Sequence, residues 1–175
     1  MSYRVVTCFN EKLLKSNGSK LLEDFASKWD TAIEFDCYYY DMDIKNYSLP
    51  KAKNIHYYNL SNLSDYTDFV ERNKQHNGTE NGEFEYNETI DALTEAPKVF
   101  AISETMFNNS LSWVLWVDPH CYTMGKVTTN YLEKVFTHDN SEVPLTLIED
   151  QTHFAAFQIT YQPCVDLIAD LRGAY

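Results

Sequence analysis

Ser112-Trp113-Val114-Leu115-Trp116-Val117-Asp118-Pro119-His120 is the most apolar run in the chain, and it stops abruptly at a carboxylate, a proline and an imidazole. A short continuous apolar run bounded by turn residues fits a strand buried on both faces, as in a parallel sheet. Ligands of open α/β sheets bind beyond the carboxyl ends of such strands. The run therefore suggests both a fold class and a place to look for chemistry.

Working outward, Val99, Phe100, Ile102, Met106 and Phe107 form the apolar face of a helix that leads into this strand, with Pro97 expected in its first turn. At the other end of the chain, Arg4-Val5-Val6-Thr7-Cys8-Phe9 reads as a first buried strand that ends at Asn10-Glu11. Leu21, Leu22, Phe25, Ala26 and Trp29 recur at helical spacing behind the cap candidates Asn17 and Ser19, which predicts an amphipathic helix over about 19–29. Residues 31–40 (TAIEFDCYYY) alternate and are rich in β-formers, so a second strand follows. The polar stretch 41–85, with Pro50 and NKQHNGTENGEFEYNE, reads as an irregular insertion or flap with one short helix near 66–72. Downstream, 127–136 reads as a short helix, 144–148 and 154–159 as strands, and 164–171 as a closing helix. Alternating strands and helices predict one α/β layered domain over 1–175 with a mainly parallel central sheet.

Composition narrows the classes. The 175 residues include 14 Lys plus Arg against 26 Asp plus Glu, a formal charge of −12, which repels nucleic acid and anionic membranes. A phosphorylated ligand would need a local basic group, a helix N-terminus or a bridging cation. Cys8, Cys37, Cys121 and Cys164 are far apart and form no CxxC pair, so no zinc knuckle or redox motif is expected. No apolar run approaches the roughly 18 residues of a membrane span, and MSYRVVTCFNEKLL lacks the pattern of a signal peptide, so a cytoplasmic protein is expected. The sequons at Asn17, Asn77 and Asn87 then carry no weight.

Asp118 and His120, two residues apart at a strand end, offer an oxygen and a nitrogen ligand to Mn²⁺ or a similar divalent ion. The same residues also read as a turn in which Asp118 caps a backbone N–H. Tyr38-Tyr39-Tyr40 followed by Asp41 and Asp43 could face a nucleotide, with Asp41 accepting a ribose hydroxyl, or could simply pack. Glu149, Asp150 and His153 sit between the last two predicted strands, where a carboxylate can serve as a base.

Trp116-Val117-Asp118-Pro119-His120-Cys121 resembles the W-L-D-A-D-T-like DxD segment of the small GT-A-fold glycosyltransferases of phage and bacterial type. Lys98-Val99-Phe100-Ala101-Ile102 resembles that family's K-V-F-A-I helix, VVTCFNEKL its first strand and loop, and Glu149-Asp150-Gln151-Thr152-His153-Phe154 its E-x-G-F segment. The resemblance implies a Rossmann-like GT-A domain without the family's usual C-terminal extension, in the host cytoplasm if phage-encoded. It implies a nucleotide-sugar donor, Mn²⁺ or Mg²⁺ held by Asp118 and His120, phosphate or nucleotide contacts from Lys98, Asp118 and Asp41, and catalytic roles for Glu149 and Asp150. His120 replaces the second DxD carboxylate, and Thr152 stands where the family has glycine. Two functions follow: hexosyl transfer to an unknown acceptor, or a non-catalytic protein-interaction module on a degenerate GT-A scaffold. A metal-dependent phosphohydrolase fits less well, because the sequence shows no second acidic metal cluster.

Overall fold

The computed structural model describes residues 2–75, 77, 92–107, 113–136, 145–147 and 154–158. The chain begins with β1 (Tyr3–Phe9), then a short helical turn α1 (Glu11–Leu13), a π-helical turn Leu14–Gly18, and α2 (Ser19–Lys28). Asn10 caps this run, its side-chain oxygen accepting the Leu13 N–H at 3.0 Å. In the π turn the Gly18 Cα lies so close to the Leu13 carbonyl that a Cβ there would sit 3.1 Å from its oxygen.

β2 (Glu34–Tyr39), β3 (Ile55–Asn59), α3 (Ser64–Asn73) and α4 (Ala92–Phe107) follow, then β4 (Trp113–Val117), α5 (Thr129–Phe136), β5 (Leu145–Leu147) and β6 (Phe154–Gln158). The strands form one sheet in the order β3-β2-β1-β4-β6-β5. β3, β2, β1 and β4 are mutually parallel, whereas β6 runs antiparallel to both β4 and β5. The α/β expectation with a mainly parallel sheet holds.

β1, β2 and β4 are buried on both faces. Val6, Cys8, Tyr38, Val114 and Trp116 pack with α3 and α4 through Tyr66, Phe69, Phe100 and Met106. Tyr3, Val5, Phe9, Phe35, Leu115 and Val117 pack with α2 and α5 through Leu21, Leu22, Phe25 and Leu132. Alternation along β1 and β4 thus feeds two separate cores, which is why those strands lack a polar face.

Two expectations need correction. The stretch read as irregular, 41–85, contains β3 and 3₁₀ turns at Ile44–Asn46 and Leu60–Asn62, while the short helix expected near 66–72 is α3. β3 escaped notice because Ile55-His56-Tyr57-Tyr58-Asn59 is an edge strand with only Ile55 buried, so it carries no apolar run. Residues 78–85, within the Asn/Gly/Glu tract, lie outside the described residues, as does the expected closing helix. Pro97 is not in the first turn but inside α4, which starts five residues earlier. It removes only the N–H that would reach Leu93 O, and the helix start is held by the Leu93 N–H donating to Asn77 Oδ1 at 2.9 Å.

Leu115, fully buried at the centre of the sheet, tests the packing. Leu115→Ala should lower unfolding free energy by about 2–5 kcal/mol in urea titrations monitored by circular dichroism.

Candidate functional site

Chain order reverses across β1: β2 and β3 lie on one side and β4 on the other. Parallel strands leave a crevice at their carboxyl ends where order reverses, and that crevice binds ligands. Here it opens between the end of β1, at Phe9 and Asn10, and the end of β4, at Asp118. The sequence argument placed Asp118 at this edge, and the structure puts it there.

Asp118 makes a tight turn. Its Oδ1 accepts the His120 N–H at 2.9 Å and lies 2.8 Å from His120 Nδ1, while the Cys121 N–H donates to the Asp118 carbonyl at 2.9 Å. The capping reading of Asp118-Pro119 is therefore met, and the same turn brings the two candidate ligands side by side. His120 is half exposed and Asp118 largely covered.

α4 brings further groups to this edge. Lys98 Nζ sits 5.4 Å from the centroid of Trp116, a cation–π contact that holds its ammonium over β4. Burial pushes the Cys8 thiol well up, Asp118 and Glu95 add to that rise, and Lys98 opposes it. Both carboxylates and the ammonium therefore lie within electrostatic reach of one buried sulfur.

Asp41 lies two residues past the end of β2, on the neighbouring side of β1. It takes a left-handed φ of 52°, a conformation that Asp tolerates better than most residues and that often marks functional sites. Asp41 lines a cavity of about 300 Å³ with Tyr40, Ser61, Tyr66 and Thr67. Burial raises both tyrosine hydroxyls, and Cys8 and Asp41 raise them further. Tyr40, Tyr66 and Cys8 thus link Asp41 to the Lys98–Asp118 group. Of the tyrosine cluster, Tyr38 packs in the core, and Asp43 caps a 3₁₀ turn by accepting the Lys45 N–H.

Glu149, Asp150 and His153 lie outside the described residues. The strands that flank them are informative: Phe154 pairs with Val117, and Leu147 pairs with Ala155. β5 therefore ends, and β6 begins, at the edge where Asp118 stands.

Glu95 and Tyr66 were missed by the sequence reading. Glu95 precedes Lys98 by three residues and so shares its helix face, a signal that was available. Tyr66 lies on the short helix expected near 66–72, but no local pattern marked it for the site.

The loop after Asp118 is fastened to α2 chiefly at Thr123. The Thr123 N–H donates to Asp24 Oδ2 at 3.0 Å, Trp29 Nε1 donates to Thr123 Oγ1 at 2.9 Å, and Lys28 Nζ donates to the Thr123 carbonyl. Val127 adds a backbone bridge to Trp29. Asp24 is buried, with Lys20 at 2.7 Å and Lys28 at 2.9 Å. Burial alone raises its carboxyl, but hydrogen bonds from Lys20, Lys28 and the Thr123 N–H outweigh it and hold the pKa at about 2.

As to metal ligands, no group of three or more His, Cys, Asp or Glu side chains that could hold an ion occurs among the described residues. Asp118 and His120 supply one oxygen and one nitrogen, a two-ligand set that suits a divalent ion whose other positions are filled by phosphate oxygens and water. No described helix is long and apolar enough to cross a membrane.

A Rossmann-like α/β sheet with its polar groups gathered at a switch point is a ligand-binding architecture. Comparison with protein-family models and with curated proteins finds no match, but comparison with solved structures does. The apo form of the glycosyltransferase GlyE from Streptococcus pneumoniae TIGR4 superposes with a TM-score of 0.54 at 9% identity, covering 98% of this chain and 37% of that one. A second GlyE structure gives 0.53 at 10%, covering 98% and 38%. Mouse xyloside xylosyltransferase 1, in its apo form, gives 0.52 at 9%, covering 98% and 72%. The chain has the fold of these glycosyltransferases, and it spans little more than a third of GlyE.

Asp24 lowers its pKa on folding, so it adds stability above the ordinary carboxylate range near pH 4, and that contribution fades as pH falls from about 4 towards 2. Asp24→Asn should therefore melt lower than the parent at neutral pH, and the gap should narrow in thermal melts taken down to about pH 2.

Proposed function

We propose that this chain is a GT-A-type glycosyltransferase domain that binds a nucleotide diphosphate sugar at the carboxyl edge of β1, β2 and β4 and transfers the sugar to an acceptor. The observation that carries the reading is the meeting of Asp118, His120, Lys98 and Glu95 at the switch point of a sheet shared with glycosyltransferases.

In this reading Asp118 and His120 hold Mn²⁺ or Mg²⁺, which, when bound, offsets the charge of the departing diphosphate. A protein with a formal charge of −12 needs such compensation for a polyanionic donor. Lys98 adds the local positive charge on the α4 side. Asp41 accepts a ribose hydroxyl, and its strained backbone fixes the carboxylate before the ligand arrives. Glu149 and Asp150 supply the acceptor-side base, a role supported by the strand ends on either side of them.

A second reading has its own observation. Asp118 Oδ1 already serves the His120 N–H, and Tyr122, Met124 and Tyr131 stand exposed just beyond it. A scaffold that binds a partner protein without catalysis would look like this too.

Calorimetric titration with UDP and GDP, with and without Mn²⁺, separates them. Nucleotide binding that requires the ion, and that Asp118→Ala weakens by about 100-fold or more, is expected. Absence of binding under every condition would sink the transferase reading and favour the interaction module.

A further inference from the structure

We infer that a groove of about 460 Å³ on the α2 and α5 face of the sheet docks a polypeptide segment in which a large apolar side chain is flanked by carboxylates. Its walls include Trp29 just beyond α2, Val117 and Cys121 on either side of Asp118, Met124 and Lys126 in the loop that follows, and Tyr131 of α5. Asp118 itself does not line it. The inference therefore does not rest on the transferase reading and holds whether or not a nucleotide binds.

Single exposed apolar side chains are normal on a protein surface, whereas a contiguous set marks a contact site. Tyr122, Met124 and Tyr131 are 68%, 87% and 55% exposed, and with Val135 they make up four of the six large apolar side chains that stand exposed among the described residues. Tyr131 and Val135 share one face of α5, four residues apart. The groove is also preformed. Trp29, Asp24 and Lys28 hold all three polar groups of Thr123, so the neighbouring Tyr122 and Met124 stand out from a fixed backbone. Binding then spends no entropy on ordering that backbone.

Charge and lining select the occupant. Lys126 is the one charged residue of the lining, and it is exposed. Lys134 follows Tyr131 by three residues and so adds a second exposed ammonium on the same face of α5. The nearby carboxylates are engaged: Asp24 by Thr123 and two lysines, Asp30 by the Ala32 N–H, and Asp118 by the His120 N–H. A chain of formal charge −12 thus places cations at the margin of this apolar patch, which suits a partner bearing carboxylates. Carbohydrate is disfavoured, because the lining offers no carboxylate or side-chain amide to its hydroxyls. A second copy is disfavoured too, because docking the patch on itself would face lysine with lysine between two strongly negative chains. Tyr, Trp and Met are side chains enriched where protein partners bind. An apolar anchor packed on Trp29, Met124 and Tyr131, with a carboxylate reaching Lys126, satisfies each of these constraints.

The test is a heteronuclear NMR titration of the whole protein with the acetylated, amidated peptides DDLFDD, KKLFKK and DDGSDD. DDLFDD should shift the Tyr122, Met124, Lys126 and Tyr131 amides, while KKLFKK binds about tenfold more weakly and DDGSDD not at all. Met124→Ala and Tyr131→Ala should each weaken DDLFDD about tenfold with thermal melts near that of the parent, and Lys126→Glu about fivefold. No DDLFDD shift at these amides, an equal response to KKLFKK or DDGSDD, or affinity unchanged in all three variants would each overturn the inference. So would either of two findings on the free protein: shifts of these amides with protein concentration, which mark a second copy, or Overhauser contacts from residues 159–175 to Met124, which mark a groove filled from within. Failure of UDP and Mn²⁺ to bind at Asp118 would leave it standing.

Discussion

The architecture depends on β4 lying against β1 with both strands sealed from water on both faces. Val114 and Trp116 close the core under α3 and α4, and Trp113, Leu115 and Val117 close the core over α2 and α5. Each large side chain withdrawn this way contributes about 1.5–3 kcal/mol relative to exposure. A polar residue at any of the five positions would leave one helix layer without a floor. Because the apolar run must end where water begins, the first residue after it reaches the carboxyl edge, and that residue is Asp118. Hydrophobic burial thus fixes the position of a carboxylate that takes no part in either core.

Once placed, that edge has to be kept in shape, and the polar side of α2 does so. Asp24, Lys28 and Trp29 take hold of the N–H, carbonyl and hydroxyl of Thr123, and Val127 pairs with the backbone at the end of the helix. A loop held at both its polar groups and its backbone returns to α5 along one path. The entropy of ordering it is spent in folding and need not be spent again on binding a ligand. Its exposed Tyr122 and Met124 side chains then sit on an anchored backbone.

How much of this was legible follows from where the signal lies. Runs such as Arg4 to Phe9 and Trp113 to Val117 announce themselves because burial on both faces admits no polar residue, and the Leu21, Leu22, Phe25 spacing does the same for α2. β3 and α3 gave a weaker signal: an edge strand needs few apolar residues, and α3 buries only Tyr66 and Phe69. Asp118, His120 and Lys98 were readable because they sit on strongly patterned elements. The strain at Asp41 and the Arg4–Asp36 ion pair between β1 and β2 were not readable, since both arise from backbone geometry and from contacts between strands distant in sequence. The Thr123 clamp joins residues 94 to 99 positions apart and is invisible to any local pattern.

In the proposed reading, capping and metal ligation at the Asp118 turn need not compete. An Asp that accepts a backbone N–H two residues on fixes its own carboxylate and the backbone of the residue that follows. His120 is carried by that turn, so its ring stays beside Asp118 Oδ1 without help from the rest of the fold. A carboxylate hydrogen-bonded to one imidazole nitrogen leaves the other directed outward, the arrangement found behind many metal-bound histidines. Direct ligation by both residues would instead exchange one ring-to-carboxylate hydrogen bond, worth about 1–3 kcal/mol, for bonds to the cation. In either case the aspartate-proline-histidine turn orders the pair without a ligand. The cap itself uses only the His120 backbone N–H, which any residue but proline provides, so the ring is held in place by the turn and not needed to make it.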